Sequence, residues 1–212
     1  MINTILFDMD GVLIDAREWH YEALNRALRL FGYVIERDNH LATYDGLPTR
    51  KKLELLSRNR TLPNGLHGII SELKQRYTME IAQQLCKPSF NHRYALSRLK
   101  QDGYRLGLCS NSIKQTIELM VYLAGLTDYL EIRLSNEDVL KSKPDPEIYN
   151  LAMTKLGTSP SETLILEDNE HGIRAAYESG AHVLVIPSPD FVTYQNIKSR
   201  IEDIQNGVVF KQ

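Results

Sequence analysis

The chain has 212 residues, with 25 Lys and Arg against 27 Asp and Glu, a formal net charge of -2, and 42% hydrophobic against 25% charged residues. This is the balance of an ordinary globular protein, with enough chain for one sizeable domain or a core with an insertion. It excludes a basic field that would draw nucleic acid or anionic lipid, and no segment is long and apolar enough to cross a membrane, so neither is an expected partner.

Residues 5–7 form an apolar run with no polar face, which predicts a buried strand. It leads into Asp8 and Asp10, with Gly11 next and a third acid at Asp15. In an extended backbone, residues two apart point the same way, so extension through Asp10 would project both acids to one side. Close carboxylates repel and need a cation or a shared proton. Gly11 lets the chain leave the strand by a route closed to other residues.

Residues 17–31 have helical periodicity, ended by Gly32. The 45–49 stretch reads as a turn with Thr49 as an N-cap, followed by a helix over 51–58. Asn64-Gly65 breaks the chain, and 66–85 predicts a long helix with Ile69, Ile70, Leu73, Tyr77, Ile81 and Leu85 on one face. No strand is expected between 16 and 86. From 87 the rhythm changes. Helices are expected over 92–102, 112–124, 146–156 and 170–179, and strands over 104–109, 130–134, 163–166 and 183–186. This alternation indicates βαβ units and a parallel sheet covered on both faces. Residues 194–204 read as a helix and 208–210 as a small extra strand. The expected architecture is an α/β, Rossmann-like core of residues 1–15 and 87–212, interrupted after its first strand by an inserted helical domain of residues 16–86. Loop-closure cost grows slowly with length, so such an insertion is tolerated.

Open α/β sheets bind ligands beyond the C-terminal ends of their strands. Asp8 and Asp10 follow the first strand, Ser110-Asn111-Ser112 the second, Lys143 a loop after the third, and Glu167-Asp168 the fourth. Carboxylates, hydroxyl and amide donors and a lysine suit phosphoryl transfer assisted by a hard divalent cation. An Asp nucleophile can form an aspartyl-phosphate and split hydrolysis into two steps. Each piece has a plainer reading: Ser110 as a helix cap, Lys143 as a solvated charge, Glu167-Asp168 as a solvated turn.

Residues 8–15, DMDGVLID, together with Ser110-Asn111, Lys143-Pro144 and Glu167-Asp168, resemble the four signatures of the haloacid dehalogenase superfamily, in order and across the whole core. Gly172 and Ala175 fit the stretch that follows the fourth signature. The nearest branch is the beta-phosphoglucomutase-like and small-metabolite phosphatase group, with the helical insertion as its cap. The resemblance implies Mg²⁺ as cofactor and a small phosphorylated metabolite as substrate. It implies that Asp8 is nucleophile and metal ligand, and that Asp10 is general acid/base and gives its backbone carbonyl to the metal. Ser110, Asn111 and Lys143 would hold phosphoryl oxygens. Asp168 would bind the metal, with Glu167 supporting it directly or through water.

In the cap, His20 stands in an Asp-x4-His relation to Asp15, as in the mutase-like branch. Arg50, in Gly46-Leu47-Pro48-Thr49-Arg50, resembles the cap arginine that engages an anionic substrate group. Lys74 is a further cap cation, and His171 a surface residue. Ala16 stands where many relatives have Thr or Ser, and Asn169 stands where a serine is usual. The Ser-Asn pair looks more like phosphatases than mutases. The expected function is phosphatase action on a sugar phosphate, with a sugar phosphomutase as the alternative. A silent binding protein of the same fold is the reading from another class. Cys86 and Cys109 have no metal or redox spacing, and a strand begins within five residues of Met1. No signal peptide is therefore expected, and a monomer in the cytoplasm is.

Overall fold

The structure, a computed structural model, describes residues 1–207. The strand expected over 208–210 lies outside the described residues. Two compact units are present: Met1–Asp15 with Lys87–Gln212, and Ala16–Cys86.

In chain order, β1 is Thr4–Phe7. The second unit follows, with α1 Arg17–Arg29, α2 Arg37–Asn39, a π turn His40–Tyr44, α3 Thr49–Arg60, a 3-10 turn Asn64–Leu66 and α4 His67–Leu85. The first unit resumes with α5 Phe90–Gln101, β2 Arg105–Cys109, α6 Lys114–Leu123 and β3 Ile132–Leu134. It continues with α7 Glu147–Leu156, β4 Thr163–Glu167, α8 Glu170–Glu178, β5 His182–Val185 and α9 Tyr194–Gln205.

Among the described residues, five strands of the first unit form a parallel sheet in the order β3-β2-β1-β4-β5. Buried on both faces, β1 and β4 carry unbroken apolar runs, Ile5 to Phe7 and Leu164 to Leu166, as central parallel strands do. Leu6, Cys109, Leu134, Ile165 and Val183 share one core with Ile148, Tyr149, Ala152 and Met153 of α7 and Ala175 and Ala176 of α8. Helix α5 packs against α9 and β2. Each large apolar side chain buried this way contributes about 1.5–3 kcal/mol relative to exposure.

The second unit has its own core. Leu24, Ala27 and Leu28 of α1 meet Tyr44 of the π turn, Leu53 and Leu56 of α3, Leu62, and Ile70 of α4. Asn25 is fully buried within it. Its side chain accepts from the Ile35 N–H at 2.8 Å and donates to the Ile35 carbonyl at 3.0 Å. The loop after α1 is thereby closed without a buried polar group being wasted.

Several local expectations differ from the observed structure. β1 ends at Phe7, so regular extension does not run through Asp10. Helix α3 begins at Thr49 with Pro48 at the N-cap, so Thr49 is the first helical residue and not the cap. Proline fits there because it presets φ and the N-cap N–H has no helical partner to lose. On α4 the buried residues are Ile70, Thr78 and Ala82, while Ile69 and Leu85 are exposed. The packed face is therefore rotated from the one that apolar residues alone mark. Helix α2 and the π turn carry no apolar stripe, so periodicity does not predict them.

Candidate active site

The chain runs β1, β2, β3 to one side of the sheet and then returns to place β4 against the other side of β1. The C-terminal ends of β1 and β4 therefore flank a switch point, where open α/β sheets bind ligands. Asp8 follows β1, and its N–H donates to the Leu166 carbonyl at 3.0 Å, which holds it beside Glu167 and Asp168. The chain then turns sharply. The Met9 carbonyl accepts from the N–H groups of Leu13 and Ile14, and the Gly11 N–H donates to the Ile14 carbonyl at 2.7 Å. Gly11 has φ +87°, and a Cβ there would lie 2.0 Å from Asp168 Oδ2. Only glycine permits both the turn and the close approach of that carboxylate.

Lys143 reaches into this corner from the loop before α7, with its side chain 3% exposed. Its ammonium donates to Asp8 Oδ1 at 2.6 Å, Glu167 Oε1 at 2.5 Å and the Cys109 carbonyl at 2.8 Å. Three protons meet three acceptors, so the charge is fully satisfied. Asn111 aims the loop through its backbone: its Oδ1 accepts from the Lys143 N–H at 3.1 Å and its Nδ2 donates to the Lys143 carbonyl at 3.3 Å. The Tyr149 hydroxyl donates to Glu167 Oε1 at 2.5 Å, and its ring lies 4.8 Å from Lys143 Nζ.

The charges in this corner do not balance. Asp8, Glu167 and Asp168 offer carboxylate oxygens within 4.8 Å of one another, against one lysine. Burial, and then the Glu167, Asp168 and Asp10 charges, push Asp8 well above the ordinary carboxylate range, with Lys143 opposing them. Burial would lower Lys143, but Asp8 and Glu167 outweigh it and hold the ammonium above its usual value. Excess buried negative charge needs a further cation. An all-oxygen donor set rich in carboxylates is what hard divalent cations take. The residues therefore fit such an ion, and burial keeps the neighbouring Cys109 thiol, pushed up to about 12, out of this chemistry.

Ser110 is buried, and its Oγ accepts from the Ser112 N–H at 3.0 Å. It does not cap α6, whose N-cap is Ile113. Ser112 Oγ donates to Asp10 Oδ2 at 3.0 Å. Asn169 is the N-cap of α8, accepting from the His171 N–H at 3.0 Å, so the departure from serine keeps the same physical task. His171 is half-buried on that first turn.

In the inserted unit, His20 Nδ1 lies 3.1 Å from Lys74 Nζ, bringing two of the expected residues together. Arg50 is not joined to them. Its side chain is 87% exposed and pairs with Glu54 at 3.0 Å one helical turn on. Residues that the sequence does not single out also matter here. His40 is buried, with its ring edge-on to Tyr21. Burial, and then the Lys52 charge, press its pKa down to about 4. Tyr149 belongs to the same group, since in the sequence it reads as one more apolar position of α7. Ser112, which the sequence places with Ser110 and Asn111 after the second strand, gains its partner Asp10 only in the fold.

The haloacid dehalogenase-like hydrolase family model matches residues 5–186. Among curated proteins, the chain is 28% identical over 182 residues to a phosphorylated carbohydrates phosphatase of Thermotoga maritima, covering 84% of this chain and 82% of that protein. It is 27% identical to the pyrophosphatase PpaX of Bacillus velezensis, covering 84% and 80%. Among solved structures, a beta-phosphoglucomutase from Clostridium difficile superposes with a TM-score of 0.82 at 21% identity, covering 97% of this chain and 100% of that one. A mutant of CbbY from Rhodobacter sphaeroides, solved in complex with xylulose-1,5-bisphosphate, gives a TM-score of 0.78 at 23% identity, covering 87% and 86%. With the signature residues at the ends of β1 and β4 and in the loop before α7, the chain belongs to the haloacid dehalogenase-like hydrolases.

Proposed function

We propose that the protein is a Mg²⁺-dependent phosphatase of a small phosphorylated metabolite, with a sugar phosphate as the favoured class, working through an aspartyl-phosphate. The observation that carries this reading is the cluster of Asp8, Glu167 and Asp168 around one buried lysine. Asp8, Glu167 and Asp168 would hold Mg²⁺, with the Asp10 carbonyl as a further oxygen, and the bound ion would supply charge neutralisation for the phosphoryl oxygens. Asp8 attacks phosphorus: an Asp8 O–P bond forms and the ester P–O bond breaks. Asp10 gives its proton to the leaving oxygen. A water then attacks the phosphorus, Asp10 takes its proton, and the Asp8 O–P bond breaks to release phosphate. Lys143 neutralises the carboxylate corner, and Ser110 and Asn111 lie beside it as phosphoryl contacts.

Leaving-group choice falls to the inserted unit as a cap, with His20 and Lys74 as a pair and Arg50 as a separate exposed cation. The Ser110-Asn111 pair and the phosphatase names of the curated relatives favour hydrolysis over mutase action. The test is phosphate release from a panel of sugar phosphates, nucleotides and pyrophosphate with Mg²⁺, with parallel detection of isomerised sugar phosphate. Release abolished by chelator and by Asp8→Asn supports the phosphatase. Isomerisation with little release would favour the mutase, and no turnover with no cation binding would sink both.

A further inference from the structure

We infer that Tyr149 is a positioning residue for the cation site, acting through Glu167. The inference rests on the reading of this corner as a cation site and goes beyond the residues that the signatures mark. Lys143 has three N–H protons and three acceptors, Asp8, Cys109 and Glu167, so its hold on Glu167 is shared. The Tyr149 hydroxyl donates its single proton to Glu167 Oε1 at 2.5 Å. With Oε1 taken by Tyr149 and Lys143, Oε2 is the oxygen left to a cation, and it accepts only a longer hydrogen bond, from the Asp168 N–H at 3.2 Å.

A third contact closes the clamp. A Cβ on Gly172 would fall 2.0–2.2 Å from the Glu167 carboxyl atoms, so the carboxylate lies against the bare backbone of α8. Tyr149 from α7 and Gly172 from α8 thus fix the rotamer of a side chain that is 1% exposed. Partners that orient a metal ligand from outside are worth about 10–100-fold in metal affinity or activity.

The experiment is Mg²⁺ titration of the full chain by calorimetry, without substrate, for wild type, Tyr149→Phe and Gly172→Ala. Phenylalanine keeps the ring beside Lys143 and removes only the hydroxyl. Alanine keeps Tyr149 and displaces the carboxylate from the other side. Both variants should bind Mg²⁺ about tenfold more weakly. In turnover, Tyr149→Phe should need more Mg²⁺ for half-maximal rate while KM for substrate at saturating Mg²⁺ stays unchanged. A purely packing role would lower the melting temperature and leave the cation affinity alone. Wild-type affinity in Tyr149→Phe, or in Gly172→Ala should the first variant not fold, overturns the inference. Because binding is read without substrate, the outcome for Tyr149 does not depend on the phosphate-release panel.

Discussion

Replacing Lys143 by alanine would leave Asp8 and Glu167 buried with their main counter-charge removed. Breaking a buried ion pair from one side costs about 3–5 kcal/mol, much of it the uncompensated charge. Denaturant unfolding in chelator should show a loss of that size for Lys143→Ala, partly recovered when Mg²⁺ is added. A loss below about 1 kcal/mol would mean the corner is solvated. Most of this corner is legible in the sequence. Asp8 and Asp168 follow a strand, Glu167 ends one and Lys143 lies in the loop after one, and strand ends on one side of a parallel sheet converge whatever lies between them. Tyr149 is not legible, because its hydroxyl matters only once α7, packed on β2 and β3, brings it to Glu167 at the end of β4. Asn111 is legible as a polar residue after β2, but its hold on the Lys143 backbone depends on how two loops meet.

Helices and turns carry two tests of their own. Asn169 caps α8, the helix that follows the acids of β4. Asn169→Ala should cost about 1 kcal/mol and Asn169→Ser much less, read by denaturant midpoint. The π turn of the inserted unit holds His40 neutral, with a pKa of about 4 against 6.5 for the free side chain. Between those values the unfolded chain binds a proton that the folded one refuses. Stability is then complete above the free value and falls as pH drops towards the folded one, by on the order of 3 kcal/mol in total. His40→Gln should flatten that slope in melts taken across this window, and an unchanged slope would assign it to other groups. At this scale, a left-handed glycine follows α1, α5, α6, α7 and α8, so their C-terminal ends can be read from the sequence. The face of α4 cannot, because Thr78 and Ala82 are buried where the larger Ile69 and Leu85 are not. Periodicity weighs residues by hydrophobicity, whereas close helix packing also selects for small size.

Over the whole chain, the composition and the change of rhythm at residue 87 are enough to separate a parallel α/β unit from a helical insertion. They do not say which side chains of the insertion meet. The pairing of His20 with Lys74 spans α1 and α4, and Arg50 turns to Glu54 instead. A cation that binds only the folded protein adds about 2.7 kcal/mol at a hundred times its dissociation constant. For a chain of this length that raises the melting temperature by about 5–10 °C. Asp168→Asn should lose most of that rise. The decisive experiment asks which atom takes the phosphoryl group. The enzyme is mixed with Mg²⁺ and a turned-over substrate labelled in its phosphoryl group, quenched in acid within one turnover, and the labelled peptide is identified. Nucleophilic attack by Asp8 places the label on the peptide carrying that residue and leaves none in Asp8→Asn. Turnover with label on another residue, or undiminished turnover in Asp8→Asn, would contradict it.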